Sequence, residues 1–288
     1  MLSLPPLAAE QLFKIGSFPI TNSYINSTLT IIAFAIFAYL LNRSWKQTGA
    51  EKAPGGLANF FEATLEFVLG YVDGVTKDRK KSLKFLPIVG GIFFFILFSN
   101  WVGLLPGTGS LTITALHHGV VEKIPLLRPA NTDLNLTLGM AVFAVVASHI
   151  LGVITIGFFK YANKFIKLGD IWNAIKSGKP INILVAIIEF FVGLIEIFSE
   201  VAKMVSLSLR LFGNIFAGEV LLTVLGSLIA GYGAFFIPLP FMLLELIVGI
   251  VQATVFAMLT LVYLSIATAP VHSHSEEKHK NDPALAAH

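Results

Sequence analysis

The stretch "KMVSLSLRLFGNIFAGEV", residues 203–220, decides how this chain is read. It is apolar and rich in small residues, yet it carries a guanidinium at Arg210. From Met204 to Pro270 the only charged residues are Arg210, Glu219 and Glu245. Ionisable side chains in such surroundings are costly, and they mark either an ion pathway or a polar tie between helices.

The rest of the chain supplies the setting. Of its 288 residues 55% are hydrophobic and 13% charged, and the mean hydropathy is +0.79. A soluble domain carries roughly a quarter of charged residues, so this one is an integral membrane protein. The absence of cysteine excludes a disulfide framework, a thiolate metal site and a cysteine nucleophile. A scattered net charge of +3 gives no footprint for nucleic acid. "MLSLPPLAAEQLF" lacks a basic segment before an apolar core and does not read as a cleaved signal peptide.

A spanning helix needs about 20 mostly apolar residues. The pattern predicts an all-α membrane protein with five crossing helices at 23–42, 84–105, 134–159, 181–230 and 238–268. Residues 57–72 alternate apolar and acidic positions at helical spacing and are expected to lie in the interface. The segment 271–288 reads as a disordered tail, and the whole as one membrane domain. Basic residues gather at 42–52, 77–84 and 160–180, which places the N-terminus outside and the C-terminus in the cytoplasm.

Segment 181–230 would be about 75 Å long as one helix, against a core of ~30 Å. It must break, run along the interface or tilt strongly. On it Glu189, Glu196, Lys203 and Arg210 recur every seventh residue, with Glu200 and Asn214 on the same stripe. Glu219 points to roughly the opposite side. The last helix presents Glu245, Gly249, Gln252, Phe256 and Tyr263 on one face. An antiparallel hairpin turning at residues 231–233 would pair Glu219 with Glu245, Asn214 with Gly249 and Arg210 with Gln252. Glu196 precedes Arg210 by about 21 Å of helix and Glu219 follows it by about 14 Å. Carboxylates exchange protons whereas arginine does not. The order is acid, barrier, acid: two half-paths that do not join.

These residues resemble a known family. "SLSLRLFGNIFAGEVL" is similar to the signature helix of subunit a of the F-type ATP synthase, and "LIVGIVQATVFAMLTLVYLS" to its last helix. "FSNWVGLLPG" and "LRPANTDLNLTLGMAV" also match family patterns. The resemblance implies a stator subunit with no catalytic activity and no cofactor or metal of its own. It implies a c-subunit ring, peripheral-stalk b subunits and membrane lipid as partners, protons as the cargo, and a bacterial plasma membrane as the location. By the same resemblance Arg210 is the stator arginine, and Asn214 and Gln252 are its polar neighbours. Glu219 is an acid of the outer half-channel and Glu196 one of the inner side.

Many members carry an acid and a histidine where this chain has Glu219 and Glu245. Two close carboxylates would raise one another's pKa. His149, in "VASHILG", is either a partner for them in the inlet or a satisfied donor between helices. Two other classes stay open on residues alone. One is a secondary transporter binding an anionic substrate at Arg210, against which no internal repeat is visible. The other is an intramembrane enzyme, against which there is no HExxH motif and His117–His118 reads as a loop pair.

Overall fold

The breakers in the sequence set the ends of the long helices. The computed structural model describes residues 9–48, 56–105, 112–117, 120–125, 128–165, 176, 180–228 and 236–269. Helix α1 covers Asn22–Thr48, with the Thr21 hydroxyl accepting the Tyr24 N–H (3.3 Å) at its start. Helix α2 is Leu57–Thr76 and α3 is Arg79–Gly103; Asp78 caps α3 by accepting the Lys80 N–H at 2.9 Å. Helix α4 is Leu134–Ile156 and stops at Gly157, whose φ of 94° suits only glycine. Helix α5, Phe158–Phe165, follows at once. Helices α6 (Pro180–Leu228) and α7 (Pro238–Ala267) each open on proline, which fits the first helical position.

Five of these helices, α1, α3, α4, α6 and α7, are long and apolar enough to cross a membrane. The all-α membrane fold is therefore as expected. Helix α2, with Glu62, Glu66 and Asp73, is not among the five. Its 20 residues pack on α1 and α3 through Phe61, whose ring stacks on Phe94 (centroids 4.3 Å apart) and meets Phe37 edge-on (5.1 Å). Helix α6 runs unbroken for 49 residues, about 73 Å, more than twice the ~30 Å hydrocarbon core. Hydroxyls inside the helices are satisfied locally: Thr30, Thr260 and Thr268 each donate to the carbonyl four residues back.

Two short β-hairpins were not foreseen. β1 (Gln11–Ile15) pairs antiparallel with β2 (Phe18–Thr21), and β3 (Thr112–His117) with β4 (Val120–Pro125). Both lie outside the crossing helices. β3 and β4 carry β-branched residues at Thr112, Ile113, Thr114, Val120, Val121 and Ile124, which suit a strand. The turn at 231–233, His118 and the tail 271–288 lie outside the described residues.

The chain forms two compact units. The first holds residues 1–145 and 203–262, and the second 146–202 and 263–288. The core of the first unit includes Val89, Ile96, Leu211, Ala253, Phe256 and Leu261, all fully buried.

Candidate functional site

The polar chemistry of the first unit begins at a proline. Pro129 disfavours helix at Arg128, and Ala130–Thr132 then form a single 3-10 turn packed on α1 and α3. Thr132 closes that turn on the Pro129 carbonyl (2.6 Å), and Asp133 receives the Asn135 N–H (2.9 Å) at the start of α4. Asn26 of α1 donates to the Arg128 carbonyl at 2.7 Å. Held this way, Arg128 is 1% exposed and sends its guanidinium to α6. Its Nε donates to Glu219 Oε1 (2.9 Å) and Oε2 (3.1 Å), and its Nη2 to Oε2 (3.0 Å). The Phe216 ring, one turn earlier, lies 5.8 Å from the guanidinium carbon.

This changes the reading of Glu219. The pairing of two like charges expected between Glu219 and Glu245 is not what the chain builds, because Arg128 neutralises Glu219 from outside the hairpin. Glu245 instead sits over Gly218. A Cβ at 218 would overlap the Glu245 carboxyl group, so the missing side chain makes the notch that accepts it. Glu245 Oε1 is buried and accepts no hydrogen bond among the described residues. One turn along α7, the Gly249 carbonyl accepts from Asn100 Nδ2 (3.2 Å), whose own Oδ1 accepts from Asn131 Nδ2 (2.6 Å). Both asparagines are buried.

Further along, Asn214 Nδ2 donates to Gln252 Oε1 at 2.9 Å. The α6–α7 register is therefore close to the one read from spacing. Glu245 meets the neighbour of Glu219, and Asn214 meets Gln252, one turn beyond Gly249. The expected pairing of Arg210 with Gln252 is displaced to Asn214. Arg210 itself is exposed, as are Gly213, Asn214 and Ala217 on the same face. It makes no hydrogen bond or ion pair among the described residues. A guanidinium on an uncovered face of a spanning helix, flanked by small residues, is open to an anion from another molecule.

In the second unit, His149 has its own company. Gly157 turns the chain so that Tyr161 of α5 returns to α4, where the Tyr161 hydroxyl lies 2.6 Å from His149 Nδ1. His149 Nε2 is 3.7 Å from Glu200 of α6. The Phe165 ring packs edge-on to both aromatic rings. His149 thus has the company of a satisfied group between helices, the second of its two readings, with Tyr161 and Glu200 beside it. Burial pushes the Tyr161 hydroxyl up to about 12, with the charges of Glu200 and then Glu196 adding to the rise. Glu196 is half-buried.

Sequence reasoning missed Arg128, Asn100, Asn131 and Tyr161 as site residues. Arg128 lies in the connection between two crossing helices and gives no periodic signal, although Pro129 restricts its backbone. Asn100 was visible as an amide in an otherwise apolar run. No group of three His, Asp or Glu among the described residues could hold a metal ion.

The sequence of the chain matches known proteins. The family described as "ATP synthase A chain" matches residues 25–265. A protein named ATP synthase subunit a from Mycobacterium ulcerans (strain Agy99) is 32% identical over 257 residues, 88% of this chain and 89% of the relative. The subunit of that name from Rhodopseudomonas palustris (strain HaA2) is 32% identical over 281 residues, 91% of this chain and 95% of its own. That from Geobacter sulfurreducens is 29% identical over 270 residues, 93% and 99% respectively. With the match spanning nearly all of its crossing helices, this chain belongs to the ATP synthase A chain family.

Proposed function

We propose that the chain is the proton-conducting stator of a rotary ATP synthase, with Arg210 separating two half-paths. Family membership makes it a membrane-sector subunit that works in ATP synthesis and ion transport. The observation that carries the finer reading is Arg210: exposed, without a partner among the described residues, and inside a spanning helix. Its counter-ion must come from another molecule. A ring of c subunits, each bearing one mid-membrane carboxylate, presents such anions in turn, and the small residues Gly213 and Ala217 allow the ring to approach closely.

The outer half-path is lined by Glu219, Glu245, Asn214 and Gln252, and the inner one by Glu196 and His149. A protonated ring carboxyl that arrives beside Arg210 meets a fixed positive charge, which favours its anion. The proton leaves by the inner half-path, and the carboxylate is later re-protonated from the outer one. Arg210 also repels a proton attempting the direct crossing. One charge crossing the membrane is worth about 2.3 kcal/mol per 100 mV, so several crossings accompany each ATP. The subunit performs no bond chemistry itself; it binds ring, peripheral-stalk b subunits and lipid in a bacterial plasma membrane. Its N-terminus is outside and its C-terminus in the cytoplasm.

The contact is tested by crosslinking. Asn214→Cys should form a disulfide with a cysteine placed near the ring carboxylate, and an equivalent cysteine at the buried Leu211 should not. Crosslinking of Leu211→Cys with no product from Asn214→Cys would overturn the assignment of this face.

A further inference from the structure

We propose that Glu245, and not Glu219, is the carboxyl group that carries protons through the outer half-path of this chain, with Arg128 a positioning residue that holds Glu219 out of the relay. The inference rests on the half-path reading above and assigns roles inside it. Two acids of one hairpin have received opposite surroundings.

Glu219 has both oxygens engaged by one guanidinium, in three contacts of 2.9–3.1 Å. Arg128 has no solvent to fall back on, being 1% exposed, and its main chain is fixed by Asn26. A proton placed on Glu219 would break up three short charge-assisted contacts to a buried cation, and removing one partner of a buried pair is the step such sites resist. Turnover through Glu219 would repeat that cost at every proton.

Glu245 has the features of a carrier. Its carboxyl lies in the Gly218 notch, with Oε1 free of any hydrogen bond among the described residues. The surroundings can be taken element by element. Helix α6 brings Glu219, next to Gly218, but that charge is paired with Arg128 from the turn. Helix α3 brings neutral Asn100, at the Gly249 carbonyl one turn along α7. Helix α7 has no other charged residue. So Glu245 gains and loses a proton against a charge background that stays constant. A proton from outer water adds to Oε1 and gives the neutral acid. The acid then donates that proton to the ring carboxylate, which restores the Glu245 carboxylate. Arg128 and Glu219 keep their charges throughout.

The same geometry lets the chain carry a glutamate at both positions of the hairpin without two free charges meeting there.

The test uses the whole complex in sealed vesicles, with the assembled subunit quantified for every variant. Arg128→Gln alone should cut ATP-driven proton pumping and alter its pH profile, because it releases Glu219 as a second titrating acid. Adding Glu219→Gln should restore the wild-type shape of the pH profile and raise pumping at least ~10-fold above Glu245→Gln, which loses a positioned proton carrier worth about 100-fold or more. An assembled Arg128→Gln/Glu219→Gln complex that pumps no better than Glu245→Gln would overturn this inference alone. Wild-type pumping by Glu245→Gln would overturn the half-path reading with it. If the double variant does not assemble, the exchanged pair Arg128→Glu with Glu219→Arg keeps the ion pair. Pumping by that assembled complex supports the inference, and its absence refutes it.

Discussion

Replacing Gly218 by alanine adds a single methyl group where α6 meets the Glu245 carboxyl group of α7. That methyl would overlap the Glu245 carboxyl group, so one of them must move. The carboxyl is the far end of a flexible side chain, and shifting it off its preferred rotamer costs about 0.5–1.5 kcal/mol. Alanine in a helix recovers about 0.8–1.0 kcal/mol relative to glycine. The two nearly cancel, so Gly218→Ala should insert and assemble as wild type. Function should respond far more strongly. The displaced oxygen moves by an ångström or more, and a misplacement of that size can cost roughly 100-fold in a step that depends on alignment. Proton pumping into inverted vesicles, normalised to assembled complex, should therefore collapse. Combining Gly218→Ala with Glu245→Asp withdraws the carboxyl by one methylene and should recover part of the loss. Wild-type pumping by assembled Gly218→Ala would refute the claim that the position of Glu245 matters to proton transfer.

Other expectations follow from the same contacts. In this cysteine-free chain, Gly218→Cys with Glu245→Cys should form a disulfide under mild oxidation, whereas Arg210→Cys with Gln252→Cys should not; the reverse result would discard the α6–α7 register. Gln252→Leu removes the partner of the Asn214 amide, but that amide is exposed, so stability should fall by no more than about 0.5–1.5 kcal/mol, read by thermal unfolding in detergent. Phenolate absorbance followed against pH should show a step well above the ordinary tyrosine value, and Tyr161→Phe should remove that step. Because its pKa is raised in the folded protein, to about 12, its contribution to stability is complete below the ordinary value of ~10 and is lost as pH rises through 12.

Periodicity and composition carried most of the fold. The crossing helices follow from apolar length, and α2 from acids at helical spacing among aromatic residues. Counting residues on two helices put Asn214 opposite Gly249, one turn short of the Gln252 side chain that it meets. What could not be read lay between distant segments. Arg128 reaches Glu219 across 91 positions, and Asn100 reaches Gly249 across 149, distances over which a single sequence has no register. The choice between the two roles of His149 was hidden for a related reason. Its partner Tyr161 is only 12 residues away, but the return of the chain depends on the left-handed Gly157, which the apolar pattern runs straight through. The β3–β4 hairpin was hidden because 106–133 reads as a connection once the crossing helices are assigned, and β1–β2 because it is a short segment ahead of the first of them.

The central claim, that Arg210 is the charge barrier between two half-paths, is tested most directly by measuring proton flux and ATP synthesis together in vesicles carrying Arg210→Ala. Assembly should be intact, because the exposed side chain supports no packing among the described residues. Synthesis driven by an imposed gradient should be abolished, while uncoupled proton flux through the complex rises or persists. Arg210→Lys should also fail to synthesise, since an ammonium group lacks the planar fork and can give up its proton. Coupled synthesis at near wild-type rates in assembled Arg210→Ala would contradict the account.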